Sequence, residues 1–177
     1  SVNLESVRNN YFLHLGVLPP SFRHKPMTVR LWKRMPDVNI MIADSVKDAE
    51  AVQSDSLQFR WYLTKIEGVK SSTNLSYTQQ LSTLRLDEEP PSAIEVVQTL
   101  ILYEALNGRK PDLKCFLRTS DTLDRGRVIS VGYMNFYNWE MKIQNNPIQV
   151  VGADRSIAAL GGGIGASRKP SNGVMAR

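Results

Sequence analysis

The stretch "PPSAIEVVQTLILYEALNGRKP", residues 90–111, decides the fold. Ser92, followed three residues later by Glu95, has capping-box spacing, in which the hydroxyl and the carboxylate each take one orphan backbone N–H. Asn107-Gly108 supplies a left-handed terminating residue, and Pro111 stops the helix from continuing. Between these signals Ile94, Val97, Leu100, Ile101 and Ala105 form an inner stripe at helical spacing. Val96, Leu102, Tyr103 and Leu106 extend the apolar surface over most of the circumference, so the helix has to be buried on more than one side. The expected architecture is α+β: a single compact domain in which an antiparallel sheet packs on a central buried helix at about 92–107.

Strand patterns lie on both sides of that helix. In "LQFRWYLTKIEG" (57–68), Leu57, Phe59, Trp61 and Leu63 alternate with Gln58, Arg60, Tyr62 and Thr64, as in a half-buried antiparallel strand. "NLSYTQQLSTLRL" (74–86) repeats the alternation and reads as the second arm of a hairpin, with a bulge near Ser82. "MTVRL" (27–31) and "VNIMI" (38–42) read as strands. "DSVKDAEAVQ" (44–53) reads as a short helix with Asp44 or Ser45 as N-cap. After the central helix come three more strand patterns: "DLKCFLRT" (112–119), "VISVGYMNFYNWEMKIQ" (128–144) and "IQVVG" (148–152). The charged loop "SDTLDRGR" (120–127) separates the first two. Prolines in "LPPSFRHKP" make residues 1–26 an extended N-terminal arm. Its apolar patch "YFLHLGVL" is read as a short helix or a groove-docking peptide. Residues 27–152 form the core, and the glycine-rich residues 153–177 form a flexible basic tail.

The chain has 177 residues, 42% hydrophobic and 22% charged, within the range of soluble globular proteins. Its net charge of +5 favours polyanionic partners. The single cysteine, Cys115, excludes an internal disulfide and a CxxC pair, points to a cytosolic setting, and reads as a packed core thiol. No apolar run approaches the roughly 18 residues of a membrane span. The polar first twenty residues, with Glu5, do not read as a secretory signal. His14 and His24 are isolated, with no metal-ligand spacing around them. "GGGIGA" lacks the GK[ST] ending of a phosphate loop. Asp87, Glu88 and Glu89 read as a solvated loop favouring the N-terminus of the helix they precede. No catalytic set, cofactor site or metal site emerges, and a non-enzymatic protein is expected.

"SFRHKPMTVRLWKRMPD" (21–37) is the remaining signal. Arg23, Lys25, Arg30, Lys33 and Arg34 occur there without an acid until Asp37, beside Phe22 and Trp32. At an anionic membrane such cations each add about 1 kcal/mol while rings sit at headgroup depth. On RNA the same cations would meet phosphates and the rings would stack on bases.

"LQFRWYLTKIEGV", "PSAIEVVQTLILYEAL" and "NGRKPDLKCFLRTS", taken in order over residues 57–120, resemble the matrix proteins of rhabdoviruses, most closely those of plant-infecting cytorhabdoviruses. The resemblance implies a structural protein under the viral envelope, in the virion and at the cytoplasmic face of host membranes. It implies self-association, contact with the protein–RNA nucleocapsid and binding to anionic lipid. "PPSF" (19–22) has phenylalanine where the budding motif of animal members has tyrosine. By analogy with arm exchange between subunits, Tyr11, Phe12, Leu13, Leu15, Val17, Leu18, Pro19 and Pro20 form the candidate self-association segment. The alternative reading is a viral capsid or movement protein that binds single-stranded RNA non-specifically.

Overall fold

The computed structural model describes residues 11–16, 27–69, 72–113, 115–123, 127–133, 148–154 and 163–168. In chain order the elements are β1 (Tyr11–Leu15), α1 (Val29–Trp32), β2 (Ile40–Ile42), α2 (Glu50–Gln53), β3 (Trp61–Lys65), α3 (Tyr77–Leu81) and β4 (Glu88–Glu89). They continue with α4 (Ala93–Asn107), β5 (Leu117–Thr122), β6 (Arg127–Tyr133), β7 (Ile148–Asp154), β8 (Gly163–Ile164) and β9 (Ser167–Arg168). The strands form two sheets, ordered β1-β3-β9-β4 and β2-β7-β6-β5-β8. The first is antiparallel throughout. The second is mixed, because β2 runs parallel to β7 and β8 parallel to β5. The α+β class holds, with two sheets in place of one antiparallel sheet.

The expected central helix is α4, and it packs against strands of both sheets. The Ser92 hydroxyl accepts the Glu95 N–H at 3.4 Å, which is half of the anticipated capping box. The other half is missing because the Glu95 carboxylate turns sideways to Thr64 Oγ1, 2.7 Å away. A carboxylate from β5 helps instead: Asp121 accepts the Ala93 N–H, a favourable place for negative charge. Gly108, with φ of 64°, ends the helix in the left-handed conformation. Every residue from Ala93 to Leu100 is buried. Ile94, Val97 and Leu100 join Leu117, Ile129, Val131 and Val150 in the main apolar core between α4 and the larger sheet.

Several local expectations are overturned. Residues 27–31 contain helix α1, not a strand; Thr28 Oγ1 caps it by accepting the Leu31 N–H at 3.2 Å. The second arm of the supposed hairpin contains α3, set by a complete capping box between Ser76 and Gln79. Its Leu75, Tyr77 and Leu81 fit a helical turn as readily as an alternation, and the cap decides. Only the end of 44–53 is helical, with Ala49 as N-cap. Glu88 and Glu89 form β4, with Glu88 buried, rather than a solvated loop. The strand in 112–119 starts only at Leu117 and runs into the expected charged loop. Cys115 is half-buried against the core. Tyr137, Trp139, Met141 and Ile143 lie outside the described residues.

The boundaries of arm and tail also shift. Residues 11–15 are the edge strand β1, paired antiparallel with β3. Residues 163–168, expected in the flexible tail, add β8 to the larger sheet and β9 to the smaller one.

β1 leaves its pairing with β3 through Gly16, whose N–H donates to the Arg60 carbonyl at 2.9 Å. A Cβ at this position would collide with the Gln58 carbonyl oxygen, a backbone atom that cannot swing aside. Gly16→Ala is therefore expected to cost about 1–3 kcal/mol, read as a lower urea midpoint with an unchanged slope. Wild-type stability in that variant would refute the close approach.

Candidate polyanion-binding surface

Helical geometry sorts the basic segment. Arg30, Lys33 and Arg34 stand at i, i+3 and i+4, the spacing that places side chains on one helical face. The turn continues past Trp32, because the Lys33 N–H reaches the Val29 carbonyl at 3.1 Å and the Arg34 N–H reaches Leu31 at 3.0 Å. All three cations are exposed. Met27, Val29 and Trp32 point the other way, into the core. Among the described residues no acid forms an ion pair with these cations. Arg30 donates to the Gln53 side-chain oxygen, which leaves its charge uncompensated.

Trp32 is 6% exposed, so its ring is core and not a surface for lipid or bases. That corrects its place in the candidate set. Phe22, Arg23 and Lys25 lie outside the described residues, as do Val17, Leu18, Pro19 and Pro20. Of the other self-association candidates, Tyr11 is buried and its hydroxyl donates to Glu88. Phe12 is half-buried, edge-on to Tyr103 with ring centroids 5.8 Å apart. Leu15 is half-buried and Leu13 is exposed.

A titratable layer that sequence reasoning missed lies between α4 and the smaller sheet. Gln98 Nε2 donates to the Leu15 carbonyl at 2.9 Å and to His14 Nδ1 at 3.3 Å. The proton of the neutral ring therefore sits on Nε2, directed at Thr99 Oγ1 2.9 Å away. Thr99 passes its own proton to the Glu95 carbonyl at 2.7 Å. The imidazole stacks on Tyr62 with centroids 5.5 Å apart. Burial pushes its pKa down to about 4, against a smaller upward pull from the Leu15 backbone. Burial pushes the Glu95 carboxyl upward, opposed by hydrogen bonds from Ser167 and Thr64 and by the charge of Arg60. These groups bond to one another, and the layer's chemical work is to hold β1 and β3 on α4. The clue in the sequence was Glu95, Gln98 and Thr99, a polar stripe within an otherwise apolar helix.

That stripe reverses the expected sense of β3. Tyr62 and Thr64 face inward, whereas Trp61 is 66% exposed and Phe59, just before the strand, 76%. The outward face of β1 and β3 thus carries the cross-strand pairs Leu13–Leu63 and Leu15–Trp61.

Among the described residues no cluster of three His, Cys, Asp or Glu could hold a metal ion, and no helix is long and apolar enough to cross a membrane. Compared with known protein families, curated proteins and solved structures, the chain matches none.

The neutral His14 ring gives the fold an acid-sensitive element. Its folded pKa lies below the unfolded value, so the folded state binds fewer protons. The stability is complete above the ordinary 6.5 and is lost as the pH falls towards 4. The full effect is about 3 kcal/mol. Glu95 carries the opposite sign in wild type and variant alike. Urea titrations between about pH 7 and about pH 4 should show wild type losing about 2–3 kcal/mol more than His14→Gln. Parallel losses would remove His14 as the cause.

Proposed function

We propose that this protein is a non-enzymatic assembly protein of the rhabdovirus matrix type. It self-associates, holds an anionic membrane surface and condenses the nucleocapsid against it, acting at the cytoplasmic face of host membranes and beneath the virion envelope. The observation that carries the reading is the exposed Arg30, Lys33 and Arg34 on one face, free of ion pairs with described acids. A lone surface cation gains little in water. Three aligned cations gain from an extended array of negative charge, where each contributes about 1 kcal/mol.

Among the described residues, the burial of Trp32 leaves no candidate ring of the basic segment beside these cations to stack on bases, so contact through this face is electrostatic. This weighs against the single-stranded RNA alternative at this surface, since stacking supplies much of the affinity of such proteins. It also makes the contact salt-sensitive.

Lys33→Glu combined with Arg34→Glu should weaken sedimentation with phosphatidylserine-containing vesicles by at least about thirtyfold. The thermal midpoint should stay unchanged, because both side chains are in solvent. Wild-type binding should fall steeply with added salt. Salt-independent binding, or a charge-reversed protein that binds as well as wild type, would sink the reading.

A further inference from the structure

We propose that Gln53 positions Arg30 to grip a lipid phosphate through the Nε–Nη2 edge of its guanidinium. This deepens the membrane contact proposed above and rests on that reading. It makes the α1 face a reader of phosphate geometry as well as a patch of charge, and it brings a residue of α2 into that face.

The arrangement starts in the core. Val29 and Val52 are fully buried in one apolar cluster, and they hold α1 and α2 against each other. Arg30 and Gln53, the next residue along in each helix, meet at the rim of that contact. The Gln53 amide is held at both ends. Its Nε2 donates to the Lys47 carbonyl, and its Oε1 accepts from Arg30 Nη1. A long side chain free in solvent loses rotamers when it orders on a ligand, and that loss costs affinity. Here the fold orders the guanidinium beforehand. Among the described residues neither Lys33 nor Arg34 has such a holder.

The chemistry of the holder and of the fork identifies the ligand. A carboxylate at position 53 would anchor the guanidinium and cancel its charge, whereas an amide anchors it and leaves the charge in place. Glu50, one turn earlier on α2, forms no ion pair with Arg30 among the described residues. Nη1 is the nitrogen on the Cδ side of the guanidinium. Engaging it leaves Nε–H and Nη2–H, which run parallel on the opposite side, and Arg30 is exposed. Two parallel donors match two oxygens of one oxyanion, and the oxyanion that every anionic phospholipid presents is phosphate. Lys33 and Arg34 add charge on the same face for the neighbouring headgroups.

The test uses the whole protein with phosphatidylcholine vesicles containing phosphatidylglycerol, whose anionic group is a phosphodiester with no carboxylate beside it. Gln53→Leu leaves the net charge unchanged and should weaken binding about fivefold. Arg30→Lys keeps the charge, loses the fork and should do the same. The double variant should bind no worse than either single one, because Gln53 acts through Arg30. Inorganic phosphate should displace wild type better than sodium chloride of equal ionic strength, and that advantage should shrink in Gln53→Leu. Wild-type binding by Gln53→Leu, or losses that add in the double variant, overturns the proposal; sensitivity to Lys33→Glu/Arg34→Glu then keeps the charged face standing. Arg30 is in solvent, so wild-type binding by Arg30→Lys overturns the proposal even if Gln53→Leu fails to fold. Vesicle binding indifferent to Lys33→Glu/Arg34→Glu overturns the membrane reading itself. Variants that weaken binding to single-stranded oligouridylate and leave vesicle binding intact overturn the lipid assignment.

Discussion

Eight successive residues of α4, Ala93 to Leu100, are buried, so this half of the helix has no side to give to water. The larger sheet satisfies Ile94, Val97 and Leu100 by apolar packing. The other side carries Glu95, Gln98 and Thr99, and burying such groups without partners costs several kcal/mol. The smaller sheet therefore turns polar residues towards the helix: His14 from β1, Thr64 from β3 and Ser167 from β9. Strand side chains alternate, so meeting the helix with polar residues sends Leu13, Trp61 and Leu63 outward. The exposed apolar face follows from the composition of the helix.

How much of this was legible varies by element. The central helix was, because Ser92, Gly108 and the spacing of its apolar residues act locally. The alternation in β3 was legible too, but its sense was not. Period two defines two faces without saying which is inward, and here a polar partner from another element decides. Residues 27–31 and 74–86 were misread because short apolar alternations fit a strand or a turn of helix equally well. Thr28 and the Ser76–Gln79 capping box settle them. The two-residue strands β8 and β9 have no local signature. They exist because β5, β3 and β4 offer them backbone partners.

The candidate basic surface was visible as composition and misjudged as geometry. A strand would place Arg30, Trp32 and Arg34 together and Lys33 opposite. The helical turn gathers Arg30, Lys33 and Arg34 and sends Trp32 into the core. Aromatic residues in the open occur elsewhere, at Phe59 and Trp61, beside Arg60 and Lys65. Adjacency in sequence suggested one mixed patch, and the fold separates Trp32 from Arg30, Lys33 and Arg34.

The position of β9 between β3 and β4 sets a timetable for synthesis. A ribosome delivers β3 first and needs on the order of ten seconds more to reach residues 167–168. Until then the strand that bridges β3 to β4 does not exist, and the inner margin of β3 is an open template for any extended peptide nearby. Neighbouring nascent chains on one messenger carry the missing piece at staggered stages of completion. Closure of the smaller sheet therefore waits for Ser167 and Arg168, whereas in refolding of the whole chain both partners of β9 are present from the start.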